Sequence, residues 1–205
     1  METSSFHDLR EIRQMMEKSS RFISLSGWSG VAAGCSALAG AFVANGYIKS
    51  YYKHAYGSSA ACPACLKQDL LVVAALVFIS ALALAFIFTY ARSKKEGVAI
   101  WGPSARKLMW STMLPMVVGG IFILRLMDLQ YYSLVAACSL LFYGLALING
   151  SKYTVGEIRF LGYGQVLTGL FCLWFPTNGL VGWAFGFGIL HIVYGFTMWW
   201  KYERK

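Results

Sequence analysis

Apolar residues run in long blocks along this chain, and charged residues gather between the blocks. From residue 160 to residue 200 there is no lysine, arginine, aspartate or glutamate. As a helix rising about 1.5 Å per residue, that stretch would reach roughly 60 Å, about twice a bilayer's hydrocarbon thickness. Near its middle, Pro176-Thr177-Asn178-Gly179 supplies turn-forming residues. The pattern predicts two membrane crossings joined by a hairpin.

Read from charge to charge, the rest of the chain repeats that theme. Six spans are predicted, at about 22–47, 70–91, 108–127, 129–151, 158–175 and 180–200. Each comes close to the ~20 residues a helix needs to cross. The expected fold is an all-α integral membrane protein, a six-transmembrane-helix bundle of three hairpins, with residues 201–205 as a tail. Before the first span, Phe6, Leu9, Ile12, Met15 and Met16 fall at helical spacing after a capping pair, Ser5 and Asp8. Arg10, Glu11, Arg13, Glu17 and Lys18 occupy the opposite face, so residues 1–21 are expected to form an amphipathic helix in the cytoplasmic headgroup region. A secretory signal is a poor reading, because the apolar block after Arg21 outlasts an h-region of roughly 7–15 residues. Val31-Ala32-Ala33-Gly34-Cys35 resembles a lipoprotein processing site, but the sequence stays apolar beyond it.

Composition sharpens the class. With 58% hydrophobic and 13% charged residues, the chain is too apolar for a soluble domain of 205 residues. The formal charge of +9 is mainly a topology signal. Arg10, Arg13, Lys18, Arg21, Arg92, Lys94, Lys95, Arg106, Lys107, Lys152, Arg159, Lys201, Arg204 and Lys205 fall on one side of the predicted membrane. Lys49, Lys53, Lys67 and Arg125 fall on the other. The excess predicts cytoplasmic termini and a plasma-membrane location, the inner membrane if the cell is bacterial. Lipid is the expected partner, and a nucleic-acid role is not, because no basic groove or stacking platform stands outside the membrane.

Small residues predict close helix packing. Gly27, Gly30, Gly34 and Gly40 mark span one, and Gly182, Gly186, Gly188 and Gly195 mark span six. Such faces let backbones approach, within one bundle or between copies, so a homo-oligomer or membrane partner through spans one and six is a further expectation. Pro115 should kink span three or open a gap in its backbone ladder. Most tryptophans lie near span ends, as an aromatic belt would place them.

Chemistry is sparse. Polar groups inside apolar blocks are costly unless satisfied, which singles out His191, Gln165, Tyr194 and Asn149 as a candidate solute or ion site. Glu157, Arg159 and Lys152 form a candidate charge cluster at the cytoplasmic mouth of span five. Cys62-Pro63-Ala64-Cys65 lies in a loop predicted to face outward, where a disulfide persists. In these four residues the chain resembles quinone-linked disulfide-forming membrane enzymes of the DsbB and vitamin K epoxide reductase type. Those families carry further loop cysteines, whereas Cys35, Cys138 and Cys172 fall singly inside predicted spans. There is no P-loop, dinucleotide fingerprint, HExxH or nucleophile elbow, and neither a cofactor nor a resident metal is expected. Binding or passage of a small solute or ion is the leading functional expectation. A non-catalytic partner or sensor subunit is the second, and a thiol oxidoreductase using Cys62 and Cys65 the third.

Overall fold

The computed structural model describes residues 26–56, 62–97 and 101–204. The predicted amphipathic helix at 1–21 lies outside these described residues. Six helical elements follow one another: α1 (Gly27–Tyr56), α2 (Pro63–Glu96), α3 (Pro103–Asp128), α4 (Val135–Gly150), α5 (Ile158–Trp174) and α6 (Pro176–Tyr202). No β-strand occurs among the described residues.

Helices start and stop where the local chemistry requires it. Cys62 caps α2, with Pro63 at the first helical position, where its missing N–H costs nothing. Gly97 ends α2 in the left-handed conformation at φ 66°, and its N–H donates to the Ser93 carbonyl. A short 3₁₀ turn (Tyr132–Leu134) leads into α4, and another (Pro176–Asn178) opens α6. This second turn is the one the Pro-Thr-Asn-Gly sequence predicts. Several helices outrun their apolar blocks, α1 running on to Tyr56 and α2 from Pro63 to Glu96, because polar end residues continue the hydrogen-bond ladder.

Five of these helices are long and apolar enough to cross a membrane: α1, α2, α3, α4 with its leading 3₁₀ turn, and α6. The fifth predicted span, α5, has 17 residues and is roughly 26 Å long, just under the ~30 Å hydrocarbon core. The apolar helices mark a membrane-embedded protein.

Packing is uneven. α1 lies against α6, α6 against α4 and α5, and α4 against α5, forming an inner group. α2 packs chiefly on α1 and α3 chiefly on α4, at opposite flanks. Glycines set the inner contacts. A Cβ on Gly195 would sit 2.5 Å from the Gly27 carbonyl oxygen and 2.6 Å from Val31 N. On Gly34 it would sit 2.6 Å from the Gly188 oxygen. Gly144 and Gly162 bring α4 and α5 together in the same way. Of the glycines predicted on spans one and six, Gly27, Gly30 and Gly34 thus face Gly188 and Gly195 within a single chain, whereas Gly40 meets Val77 and Gly182 meets Cys172. The gain is dispersion contact that lipid supplies less well. Gly46 and Gly120, by contrast, meet open space.

One end of the bundle is clasped by two carboxylates. Glu203 accepts from Gly27 N–H at 2.5 Å, from Arg92 Nη1 at 2.9 Å and from Ser26 Oγ at 3.5 Å. It therefore joins the start of α1, the end of α2 and the end of α6, and satisfies an N–H that a helix start leaves open. Glu157, at the start of α5, accepts from Lys201 and from the Tyr202 hydroxyl. Ser26, the first described residue, and Glu203 thus lie together in space.

A buried polar cluster on a pi-helical segment

α6 is not a uniform helix. Its residues Ala184–Leu190 form a π-helical segment between the α-helical parts Gly179–Trp183 and His191–Tyr202. Widening the turn shifts backbone carbonyls out of register, and such segments are common at functional sites. Here the Gly186 carbonyl accepts two side-chain donors, Gln165 Nε2 at 2.8 Å and His191 Nδ1 at 3.1 Å. Gly186 is required for this contact. A Cβ there would meet Gln165 Oε1 at 2.7 Å and collide with Leu140.

These bonds fix the proton on the imidazole. His191 Nδ1 must donate to the carbonyl. A buried ring with no carboxylate among its contacts is favoured neutral, which leaves Nε2 to accept from the Tyr143 hydroxyl at 2.9 Å. In that state the 3.3 Å approach of Gln165 Nε2 to His191 Nδ1 is contact between two donors that share one acceptor. Tyr143 and Phe187 also stack on the imidazole, with ring centroids 5.4 and 6.0 Å away.

Two polar atoms in this region have no partner. Gln165 is 0% exposed and its Oε1 accepts nothing. The Tyr194 hydroxyl, one helical turn beyond His191, is likewise buried and unpaired. An unmade buried hydrogen bond costs about 1–3 kcal/mol, so the pair amounts to an open acceptor and an open donor inside an apolar core. Tyr194 and Tyr143 both pack against the cluster of Leu147, Ile158 and Leu161.

Among the predicted site residues, the structure brings His191 and Gln165 together, while Tyr194 packs with Tyr143 on the adjoining Leu147, Ile158 and Leu161. It does not bring in Asn149, whose Nδ2 donates to the Ser111 carbonyl at 2.8 Å. Pro115 stands four residues after Ser111 in α3 and has no N–H to give that carbonyl. Asn149 fills the gap that Pro115 leaves, and thereby ties α4 to α3. Tyr143 is the member that sequence reading missed. Its signal was available: a phenol in the middle of an apolar span, not at its end.

The predicted charge cluster also separates. Lys152 Nζ lies 3.4 Å from Asn149 Oδ1, and the Arg159 guanidinium stacks over Phe160 at 5.0 Å. Only Glu157 enters the clasp, with Lys201 and Tyr202. Partial burial raises its carboxyl pKa, but the hydrogen bonds and charge of that pair outweigh burial and hold it below the usual carboxylate range.

Cys62 and Cys65 form a disulfide across the first turn of α2, with Cα atoms 5.2 Å apart and both residues exposed. Cys35, Cys138 and Cys172 are free and far from it in sequence. No group of three or more metal-ligating side chains occurs among the described residues.

Comparison of the chain with protein-family models, with curated proteins and with solved structures gives no match.

Proposed function

We propose that the chain is a six-crossing plasma-membrane protein with both ends cytoplasmic, which binds or passes a small hydrogen-bonding solute or ion at the His191 cluster. The observation that carries this reading is the wholly buried Gln165, whose carbonyl oxygen stays open beside a π-helical segment. An apolar residue would pack this position without that penalty. A ligand that donates to Gln165 Oε1 and accepts from the Tyr194 hydroxyl would remove both costs. The cluster offers two phenols, an imidazole, an amide and a backbone carbonyl, and no carboxylate. Its chemistry therefore suits a proton or a small neutral polar molecule better than a bare metal ion.

The α5 length supports a crossing, since Glu157 and the Pro176 turn carry the chain into the two headgroup regions. A second reading, a partner subunit in a membrane complex, draws on α2, whose most apolar stretch has no buried residue at all.

Proteoliposomes test the first reading. Proton flux is read with an enclosed pH dye and small-solute flux by osmotic swelling, for wild type, Gln165→Leu and Tyr194→Phe. The reading expects flux or saturable uptake in wild type and its loss in both variants. Wild-type vesicles as tight as empty ones to every probe would contradict it.

A further inference from the structure

Between α1 and α6 lies an open cleft of about 320 Å³, with no residue of the His191 cluster in its lining. Its walls are Trp28, Val31, Ile192, Val193, Phe196 and Trp199, with the Thr197 hydroxyl beside them. Trp28 and Trp199 meet edge to face with centroids 6.0 Å apart. The volume lies at the low end of small-molecule sites, roughly 300–1,000 Å³, and the lining is suited to hydrocarbon.

The rim is charged. Phe196, Trp200 and Arg204 follow at four-residue steps along one face of α6 and its final turn. Phe196 contacts the Trp200 ring at 6.2 Å, and the Arg204 guanidinium lies 3.8 Å over that ring. The Arg204 backbone closes the last turn of α6: its N–H and that of Glu203 both donate to the Trp199 carbonyl, at 3.1 and 2.9 Å. Two neighbouring cations have carboxylate partners: Arg92 with Glu203, and Lys201 with Glu157. Arg204 is paired with no carboxylate among the described residues, and it is exposed.

We propose that this cleft holds one anionic phospholipid, an acyl chain between Trp28 and Phe196 and its phosphate on Arg204. An acyl chain fits the apolar walls, and a headgroup phosphate meets a planar guanidinium that can donate two parallel bonds. The aromatic step from Phe196 to Trp200 spans the depth between chain and headgroup, where aromatic side chains favour the interface. The proposal is independent of the His191 cluster, because no cluster residue lines the cleft.

The test uses the full chain in nanodiscs. Quenching of tryptophan fluorescence by acyl-brominated phosphatidylglycerol is compared with that by brominated phosphatidylcholine at equal mole fraction. The proposal expects a preference for phosphatidylglycerol of roughly fivefold, the factor one cation contributes near an anionic surface. Arg204→Gln should abolish the preference while quenching persists, and Trp28→Phe should lower the quenching only in part, because Trp199 also lines the cleft. Val193→Trp, at an exposed position, should fill the cleft and weaken both lipids without changing the melting temperature. Equal quenching by the two lipids, or a preference that survives Arg204→Gln, overturns the proposal. So does displacement by inorganic phosphate alone, because the apolar cleft would then play no part.

Discussion

Helices α2 and α6 are both long and apolar, yet they meet their surroundings in different ways. α6 turns Gly188 and Gly195 toward α1, carries His191 into the protein, and breaks its own ladder with a π-helical turn. α2 presents Leu76, Ile79, Leu82 and Phe86 outward, with no buried residue in its most apolar stretch. In a bilayer, large apolar side chains do not drive association, because lipid solvates them as well as protein does. Small residues and buried polar groups mark a helix held by other helices. Uninterrupted bulk marks one held by lipid.

Crowding α6 should break the contrast most severely. Gly195→Leu drives side-chain atoms into the backbone of α1 and should cost about 3 kcal/mol or more, toward or past the upper end for overpacking. Gly46→Leu enters open space and should stay within about 0.5 kcal/mol. Reversible unfolding in mixed micelles measures both, and equal losses would deny that the glycine seam holds the bundle.

Charge tests α2 from the lipid side. Ile79→Arg should raise the insertion free energy by about 2.5–3.5 kcal/mol, whereas Ile79→Leu should leave it unchanged. A membrane-insertion assay that tolerates the arginine would mean that α2 borders water or a polar partner.

The buried cluster gives a smaller, more specific effect. His191→Leu leaves the Tyr143 hydroxyl without its acceptor and should cost about 1–3 kcal/mol. Adding Tyr143→Phe should recover much of that loss, because the pair is then apolar on both sides. The double mutant unfolding like the sum of the singles would show that the 2.9 Å bond is not what couples them.

Acid should loosen the clasped end slightly. The Glu157 carboxyl titrates lower in the folded chain than free, so folding is favoured by its ionisation above the ordinary carboxylate pKa. That stabilisation fades as pH falls below about 4.5 toward the folded value. Glu157 is about a quarter exposed and its partner Lys201 more than half, so solvent screening keeps the effect small. Glu157→Gln should flatten this part of the pH–melting curve and leave the rest unaltered.

Much of the helix layout is legible in the sequence, because charge-free runs of about twenty residues have one stable solution in hydrocarbon. The Pro176 turn and the position of α5 follow from the same reasoning. The site is only partly legible. His191 and Gln165 stand out as polar residues at similar depth, but their shared acceptor, the Gly186 carbonyl, is a backbone atom exposed by the π-helical turn. No residue type announces that turn. Asn149 misleads for a related reason: its partner is another backbone carbonyl, left open by Pro115 on a different helix. Glu157 was visible as a charge at a span mouth, but its partners, Lys201 and Tyr202, lie more than forty residues away in sequence. Side chains that bind backbone across helices depend on packing, which periodicity alone does not encode.

Nitrogen NMR of histidine-labelled protein in lipid, with His7 and His54 replaced by glutamine, tests the central claim most directly. The account predicts a neutral His191 with Nδ1 protonated, Nε2 shifted by the Tyr143 hydrogen bond, and magnetisation reaching the ring from mobile water. An Nε2-protonated ring, or one that receives nothing from water, would contradict it.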